Sequence, residues 1–454
     1  MANLDETKQW LADRFPRLLA DHGVPGAAIA VSVGGEVLDA AGGVLNTATG
    51  VEATPDSVFQ IGSITKVWTA TLAMQLVDEG ALELDVPVRG YLPDFRLGDE
   101  TAAATITVRQ LMCHTSGFEG DLFTDTGKGD DCVEKYVATL DGVDQLFPPG
   151  EMFSYNNAAY CVLGRIIEVL RGKPYDTCLR DHLFTPLGLT HAATSADEAI
   201  LHRAAVGHLQ VDGEARPAPM WSLVRSNGPA GSVLAMRPRD LLTFVRAHLD
   251  GGGPALSAGS VKAMQERQVA LPPLGLMGTS WGLGWEIYDL PGGTIIGHDG
   301  GTIGQAAFLR VVPERDVAIA LLTNGGDPIS LYADVFGHLL PALAGIDRPP
   351  FPEPPSDPAP FDASRYTGTY SCEVADVTVS QDDDGRVWLE QVPKGVLAEV
   401  GEAERTELVR LDGDTLITRE APHGLHQPHV FLGDDGTGRA EYVHSGRVIR
   451  REAR

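Results

Sequence analysis

Ser63 and Lys66 stand three residues apart in Phe59-Gln60-Ile61-Gly62-Ser63-Ile64-Thr65-Lys66, where a short apolar stretch meets a glycine and a helical pattern begins that runs on to Val77. Residues three apart share a face of an α-helix, so this hydroxyl and this amine lie side by side. A serine hydroxyl is unreactive until a base takes its proton. A lysine serves as that base only where burial and nearby positive groups make its neutral form accessible near pH 7. The helix start adds free backbone N–H groups and a dipole that stabilise negative charge beside the nucleophile. Taken alone, the pair reads equally as a nucleophile with its own base or as an N-capping serine with a solvated lysine.

Two further stretches could complete such a site. Phe153-Ser154-Tyr155-Asn156-Asn157 leads into a second helical run. A tyrosine beside a lysine can act as acid or base, and an asparagine amide can hold a substrate amide; alone, the stretch also reads as an N-capped helix with a packed tyrosine. Gly297-His298-Asp299-Gly300-Gly301-Thr302-Ile303-Gly304 lies between two strand patterns. It is no dinucleotide fingerprint, because the G-x-G-x-x-G order is absent and a strand follows instead of a helix. Its glycines would let a substrate backbone approach closely, and a backbone N–H there can complete an oxyanion hole with that of Ser63. The H-x-G pattern recurs at His444-Ser445-Gly446, where the sequence assigns it no role, and His114-Thr115-Ser116-Gly117 reads as a structural loop near the cleft.

The elements that must position these residues follow from periodicity. Residues 5 to about 22 form a helix on Trp10, Leu11, Phe15, Leu18 and Leu19, followed by a hairpin of 27–33 and 36–41 through Gly34-Gly35. Residues 118–150 read as loops lining a cleft, and 189–235 as irregular chain that sets selectivity. Helices are expected over 158–170, 175–187, 239–249, 257–266 and 330–343, and strands over 282–288, 294–297, 306–312 and 317–323. Seven prolines between Arg348 and Phe361 make a semi-rigid linker. Beyond it, about eight short alternating runs separated by Asp-Gly turns predict a small antiparallel barrel or sandwich. The expected division is a catalytic domain over 1–347, a linker over 348–362 and a small β domain over 363–454.

The 454 residues are 43% hydrophobic and 21% charged, ordinary for a globular protein with proper cores. A formal charge of −27 argues against a nucleic acid or an anionic membrane as partner. The first residues lack both the basic region and the apolar core of a signal peptide, so a cytoplasmic location is expected. Five cysteines without C-x-x-C spacing read as reduced core residues, and thirteen scattered histidines give no metal site. No cofactor is called for.

The order S-x-x-K, then Y-x-N, then H-x-G before a closing strand pair resembles the penicillin-recognising serine enzymes, in the branch of class C β-lactamases, D-stereospecific peptidases and related esterases and acyltransferases. Leu111-Met112-Cys113-His114-Thr115-Ser116-Gly117, Pro148-Pro149-Gly150 and Pro186-Leu187-Gly188-Leu189 support it, and it covers roughly residues 5 to 345. The resemblance implies an α+β fold: an antiparallel sheet flanked by helices, a helical subdomain and, here, a C-terminal all-β, lipocalin-like domain. It implies Ser63 as the acylated nucleophile, Lys66 as base, Tyr155 as proton shuttle and Asn157 as ligand of a substrate amide. It places Gly300 and Gly301 against the substrate, with Gly301 giving the second oxyanion N–H. Ser154-x-Asn156 also satisfies an S-x-N variant, but Ala158-Ala159-Tyr160 favours the tyrosine register.

His298 stands where many relatives carry lysine. Histidine is largely neutral at pH 7 to 8, so weak recognition of anionic β-lactams and a preference for ester or peptidyl groups are expected. The appended β domain resembles that of stand-alone, penicillin-binding-protein-type thioesterases that release and cyclise nonribosomal peptides. The leading expectation is therefore an acyltransferase for peptidyl thioesters or esters, delivered by a carrier protein, with a D-residue at the acyl end by family analogy. The alternatives are an intracellular carboxylesterase or D-stereospecific peptidase, and a penicillin-sensor-like binding protein that is acylated and does not turn over.

Overall fold

A computed structural model describes residues 4–452 apart from 276, 396, 397, 399–401, 422 and 423. The run Gly26–Val33 is buried up to Ser32, with Val33 half-buried, because both faces of its sheet are covered. Ala27, Ile29 and Val31 pack with Leu11, Phe15 and Phe336 from the helices Leu4–Asp21 and Pro328–Ala344. Ala28 and Ala30 join the other core, with Trp68 and Phe244 from the helices Thr65–Asp78 and Pro238–Leu249. The period-2 alternation of one strand thus feeds two cores.

The sheet has nine antiparallel strands, with Gly26–Val33 paired to Glu36–Asn46 on one side and Val317–Thr323 on the other. Beyond Val317–Thr323 follow Gln305–Val312, then Gly293–Thr302, then Glu286–Leu290. The helix Thr65–Asp78 is buried on nearly every side, so it lies between the sheet and the helical subdomain. Gly368–Ser371 through Val448–Arg451 contribute eight strands to a closed antiparallel barrel, which leaves no free sheet edge. Among the described residues no helix is long and apolar enough to cross a membrane.

Four expectations are corrected. The 118–150 stretch contains the helix Cys132–Ala138, held by buried Cys132, Val133 and Tyr136, too short for its period to show in a Gly- and Asp-rich setting. The irregular 189–235 stretch supplies Ala192–Ala193 and contacts the body through Ala235–Met236, which pairs with Phe59–Gln60 just before Ser63. The expected 282–288 strand is two strands, Ser280–Trp281 and Glu286–Leu290. Between them Gly284, at φ +90, brings the chain so near the helix Thr65–Asp78 that a Cβ would sit 2.7 Å from that of Ala70. Finally, His298 to Thr302 lie inside a strand and not between two, with His298 opposite Leu309 and Gly301 opposite Ala306.

Candidate active site

Ser63 sits in the 3₁₀ turn Gly62–Ile64 that feeds the helix Thr65–Asp78. Gly62 has φ +51, and a Cβ there would lie 2.6 Å from the amide nitrogen of Gly301. Gly300 is equally constrained, because a Cβ on it would meet Ile61 O at 1.9 Å. Only glycine lets the two backbones close up in this way. The result sets the exposed Gly301 beside half-buried Ser63, the placement an oxyanion hole formed by the two amides requires.

Lys66 is fully buried one turn on, and its Nζ contacts Ser63 Oγ at 3.0 Å, Asn157 Oδ1 at 2.7 Å and the carbonyl of Ala230 at 2.6 Å. Burial pulls its pKa down to about 7; Cys161 and Asp121 oppose the shift and Arg447 adds to it. Hydrogen counting then decides what the neutral amine does. Two of its partners are oxygens that only accept, so they take its two N–H groups, and the remaining lone pair faces the Ser63 hydroxyl. That is the geometry of a general base aimed at its nucleophile.

Tyr155 and Asn157 reach this centre from the entry to the helix Asn157–Arg171. The Tyr155 ring lies 4.7 Å from Lys66 Nζ and packs on His114 with centroids 4.4 Å apart. His114 is itself held in a left-handed turn, φ 59, where its Nδ1 accepts from Asn156 N at 3.0 Å. Burial pushes the Tyr155 phenol well above its ordinary range. The Ser63 hydroxyl is near enough to oppose that shift, yet the buried phenol oxygen completes no hydrogen bond of good geometry among the described residues. It is therefore a neutral group with a free donor and acceptor at the reacting centre.

The neighbouring side chains differ in where they point. Asn156 caps the helix, accepting from Ala159 N at 2.7 Å and donating to Phe118 O at 2.7 Å, and Ser154 Oγ accepts from Val448 N at 3.0 Å. Asn157 instead gives its Oδ1 to Lys66 and donates Nδ2 to Asp121 at 2.6 Å. Both ends of the Asn157 amide are engaged, so here it positions Lys66; a substrate amide would have to displace Asp121.

His298 is buried on the strand facing this cluster, its ring 6.2 Å from that of Tyr155. Its Nδ1 contacts the carbonyl of Asp299 at 2.6 Å, which fixes the proton on Nδ1 and leaves Nε2 as an acceptor without a partner among the described residues. Burial, with help from Lys66, lowers its pKa to about 3. A neutral imidazole with no spare N–H cannot hold a substrate carboxylate.

A cation beside the Tyr155 ring comes from a distant part of the chain, with little local signal in the sequence. The loop Ser445-Gly446-Arg447 of the barrel docks on the Tyr155 segment: Tyr155 N donates to Gly446 O at 3.1 Å, and the His444 ring contacts Phe153 O at 2.8 Å. Tyr442 and Val448 of the barrel pack with Leu146 and Phe147 of the body. Arg447 donates Nε to Asp121 at 2.6 Å and lies 4.8 Å over the Tyr155 ring, with 46% of its side chain still exposed. The second H-x-G, at His444-Ser445-Gly446, was the one signal available, and nothing local distinguishes it.

The sequence profile of the beta-lactamase family matches residues 11–343, and the chain belongs to that family. Penicillin-binding protein 4 of Amycolatopsis lactamdurans is 46% identical over 369 residues, which is 80% of this chain and 97% of that protein. The crystal structure of SurE with D-Leu superposes with a TM-score of 0.77 at 29% identity, covering 96% of this chain and 97% of that one. The D-amino acid amidase of Ochrobactrum anthropi SV3 matches at a TM-score of 0.59 and 27% identity, over 70% of this chain and 91% of its own. These relatives support a penicillin-binding-protein-like serine hydrolase.

Proposed function

We propose that this protein takes a peptidyl thioester or ester onto Ser63 and releases it as a cyclic or free peptide, with a D-residue at the acyl end. The observation that carries the reading is the Lys66 amine, held near neutrality with its lone pair toward Ser63 Oγ at 3.0 Å. Lys66 takes the Ser63 proton as the Ser63 oxygen bonds to the acyl carbon. The amides of Ser63 and Gly301 stabilise the oxyanion. As the carbon–sulfur or carbon–oxygen bond breaks, the Tyr155 hydroxyl passes a proton to the leaving thiol or alcohol and is refilled from Lys66. An amine of the same peptide, or water, then attacks the ester by the reverse proton path.

The substrate class rests on His298 and on the relatives. With His298 neutral and its one N–H engaged with Asp299, the strand offers no charge to the carboxylate of a β-lactam. SurE was crystallised with D-Leu and the similar amidase acts on D-amino acid amides, which supports a D-residue at the acyl end. Arg447, half exposed beside Tyr155, is the group available to an anionic part of the acceptor or donor. The reading places the reaction inside the cell, on peptide delivered by a carrier protein. The amidase relative favours one competing reading, a D-stereospecific amidase or esterase.

The test is a peptidyl N-acetylcysteamine thioester ending in a D-residue, followed by mass spectrometry of enzyme and product. Acyl-Ser63 with cyclic product supports the cyclase; linear product alone supports the hydrolase; a persistent adduct without turnover identifies a sensor. Full activity of Ser63→Ala would overturn the mechanism.

A further inference from the structure

The strand that carries His298 has a second face. Behind it, between the body, the proline-rich linker and the barrel, lies a cavity of about 560 Å³. That volume lies in the range of small-molecule sites, roughly 300–1,000 Å³. Its walls are mainly apolar, with Leu271, Ile295 and Phe308 from the body, Phe351 from the linker, and Leu411 and Leu425 from the barrel.

Among the described lining residues the charges are Asp299, Arg310 and Arg348. Arg310 is already neutralised: it donates to both Asp299 oxygens, at 2.6 and 3.0 Å, and its Nε donates to Tyr332 OH at 3.2 Å. Glu286, bonded to Tyr288 beside this cluster, adds no opposing charge, since burial and then Asp299 push its carboxyl up toward the neutral form. Arg348 is different. Its guanidinium lies 4.2 Å from the Phe351 ring and 5.8 Å from that of Tyr332, and its buried Nε has no hydrogen-bond partner among the described residues. Burial pulls it below the ordinary arginine value, with Tyr332 opposing and Arg310 adding to the shift, the mark of a charge without a counter-charge.

We propose that this cavity binds an amphipathic monocarboxylate of the fatty-acid class, its carboxylate paired with Arg348 and its chain along Leu271, Phe308 and Leu411. Arg348, half-buried at the wall of a mainly apolar cavity and with no carboxylate beside it among the described residues, balances one negative charge. A phosphate dianion would bring a second charge against the apolar wall without a partner, and a neutral alcohol would leave Arg348 as it is. The planar guanidinium flanked by aromatic rings offers its edge to a carboxylate in the forked geometry that suits it. Because linker, barrel and body each supply part of the wall, the ligand would also fasten the barrel that carries Arg447.

The test is calorimetric titration of the full chain with dodecanoate, dodecanol and dodecyl phosphate below their aggregation limits, repeated on Arg348→Gln, Arg447→Gln and a cavity-filling Leu411→Trp. Circular dichroism and turnover of p-nitrophenyl butyrate serve as folding controls for Arg348→Gln and Leu411→Trp. The expected result is one saturable site for dodecanoate, about 10- to 100-fold weaker in Arg348→Gln, lost in Leu411→Trp and unchanged in Arg447→Gln. Dodecanol and dodecyl phosphate should bind more weakly than dodecanoate. Binding weaker than about 1 mM, equal binding by Arg348→Gln, or a loss confined to Arg447→Gln would overturn the proposal. None of these outcomes bears on acylation of Ser63, so this site and the proposed activity fail separately.

Discussion

The two sides of the cleft are built by opposite strategies. On one side, Ser63 in its 3₁₀ turn and Lys66 in the buried helix that follows lie three residues apart, so the proposed nucleophile and its base are set by local geometry. On the other, Arg447 arrives from a separate barrel, more than 300 residues further along, and is tied down by Asp121 and the Tyr155 ring. The contrast separates two jobs. The bond-making step needs a short, rigid relation that one turn and the helix it feeds can supply. The field around it is assembled between domains, and Arg447 of the barrel reaches into it by lowering the pKa of Lys66.

The comparison is broken most severely at its local end. Ser63→Ala should remove the acyl adduct from the intact mass spectrum and lower turnover by about 10⁴- to 10⁶-fold. Lys66→Met should cost about 10³- to 10⁴-fold in acylation rate, measured by the release of p-nitrophenol. In the intact enzyme kcat/KM should rise with pH through about 7, because the base is the neutral amine and protonation below that value removes its lone pair. A flat profile between pH 5.5 and 8.5 would show that Lys66 is not the base.

Asn157 and Asn156, one residue apart, give the sharper contrast. Asn157→Ala removes an acceptor that holds the Lys66 amine, and acylation should fall by about 10²-fold. Asn156→Ala removes a helix cap, and should lower stability by about 1 kcal/mol in a urea melt with turnover per folded molecule unchanged. A smaller catalytic effect than that of Asn157→Ala is expected at the barrel. Arg447 helps to depress Lys66, so Arg447→Gln should move the acid limb of the pH profile to higher pH. It should also reduce kcat/KM about tenfold for an acceptor that carries a carboxylate. An unmoved limb would make the barrel a structural appendage.

Much of this site was legible in the sequence because its parts are local. A serine and lysine three apart, a tyrosine and asparagine at a helix entry and a histidine among glycines are each visible within a few residues, though each alone also reads as structural and only their order carried the reading. The barrel strands were legible for the same reason, since alternation and Asp-Gly turns are short-range signals. The His298 stretch was read as lying between two strands because three glycines in five residues hide strand periodicity; of these, Gly300 is the one whose missing Cβ admits the Ser63 turn.

By itself the sequence determined which residue types stand at the candidate site, most of the helices and strands that carry them, and that an all-β run follows a proline-rich stretch. Those follow from spacing, propensity and turn chemistry along the chain. Only the tertiary structure decided that Lys66 loses all contact with water, that Asn157 and not Asn156 meets it, and that His298 spends its one N–H on the backbone. Only the structure, too, carried Arg447 over Tyr155. Desolvation and hydrogen-bond partners depend on groups far apart in the chain, and no local pattern encodes which of them will meet.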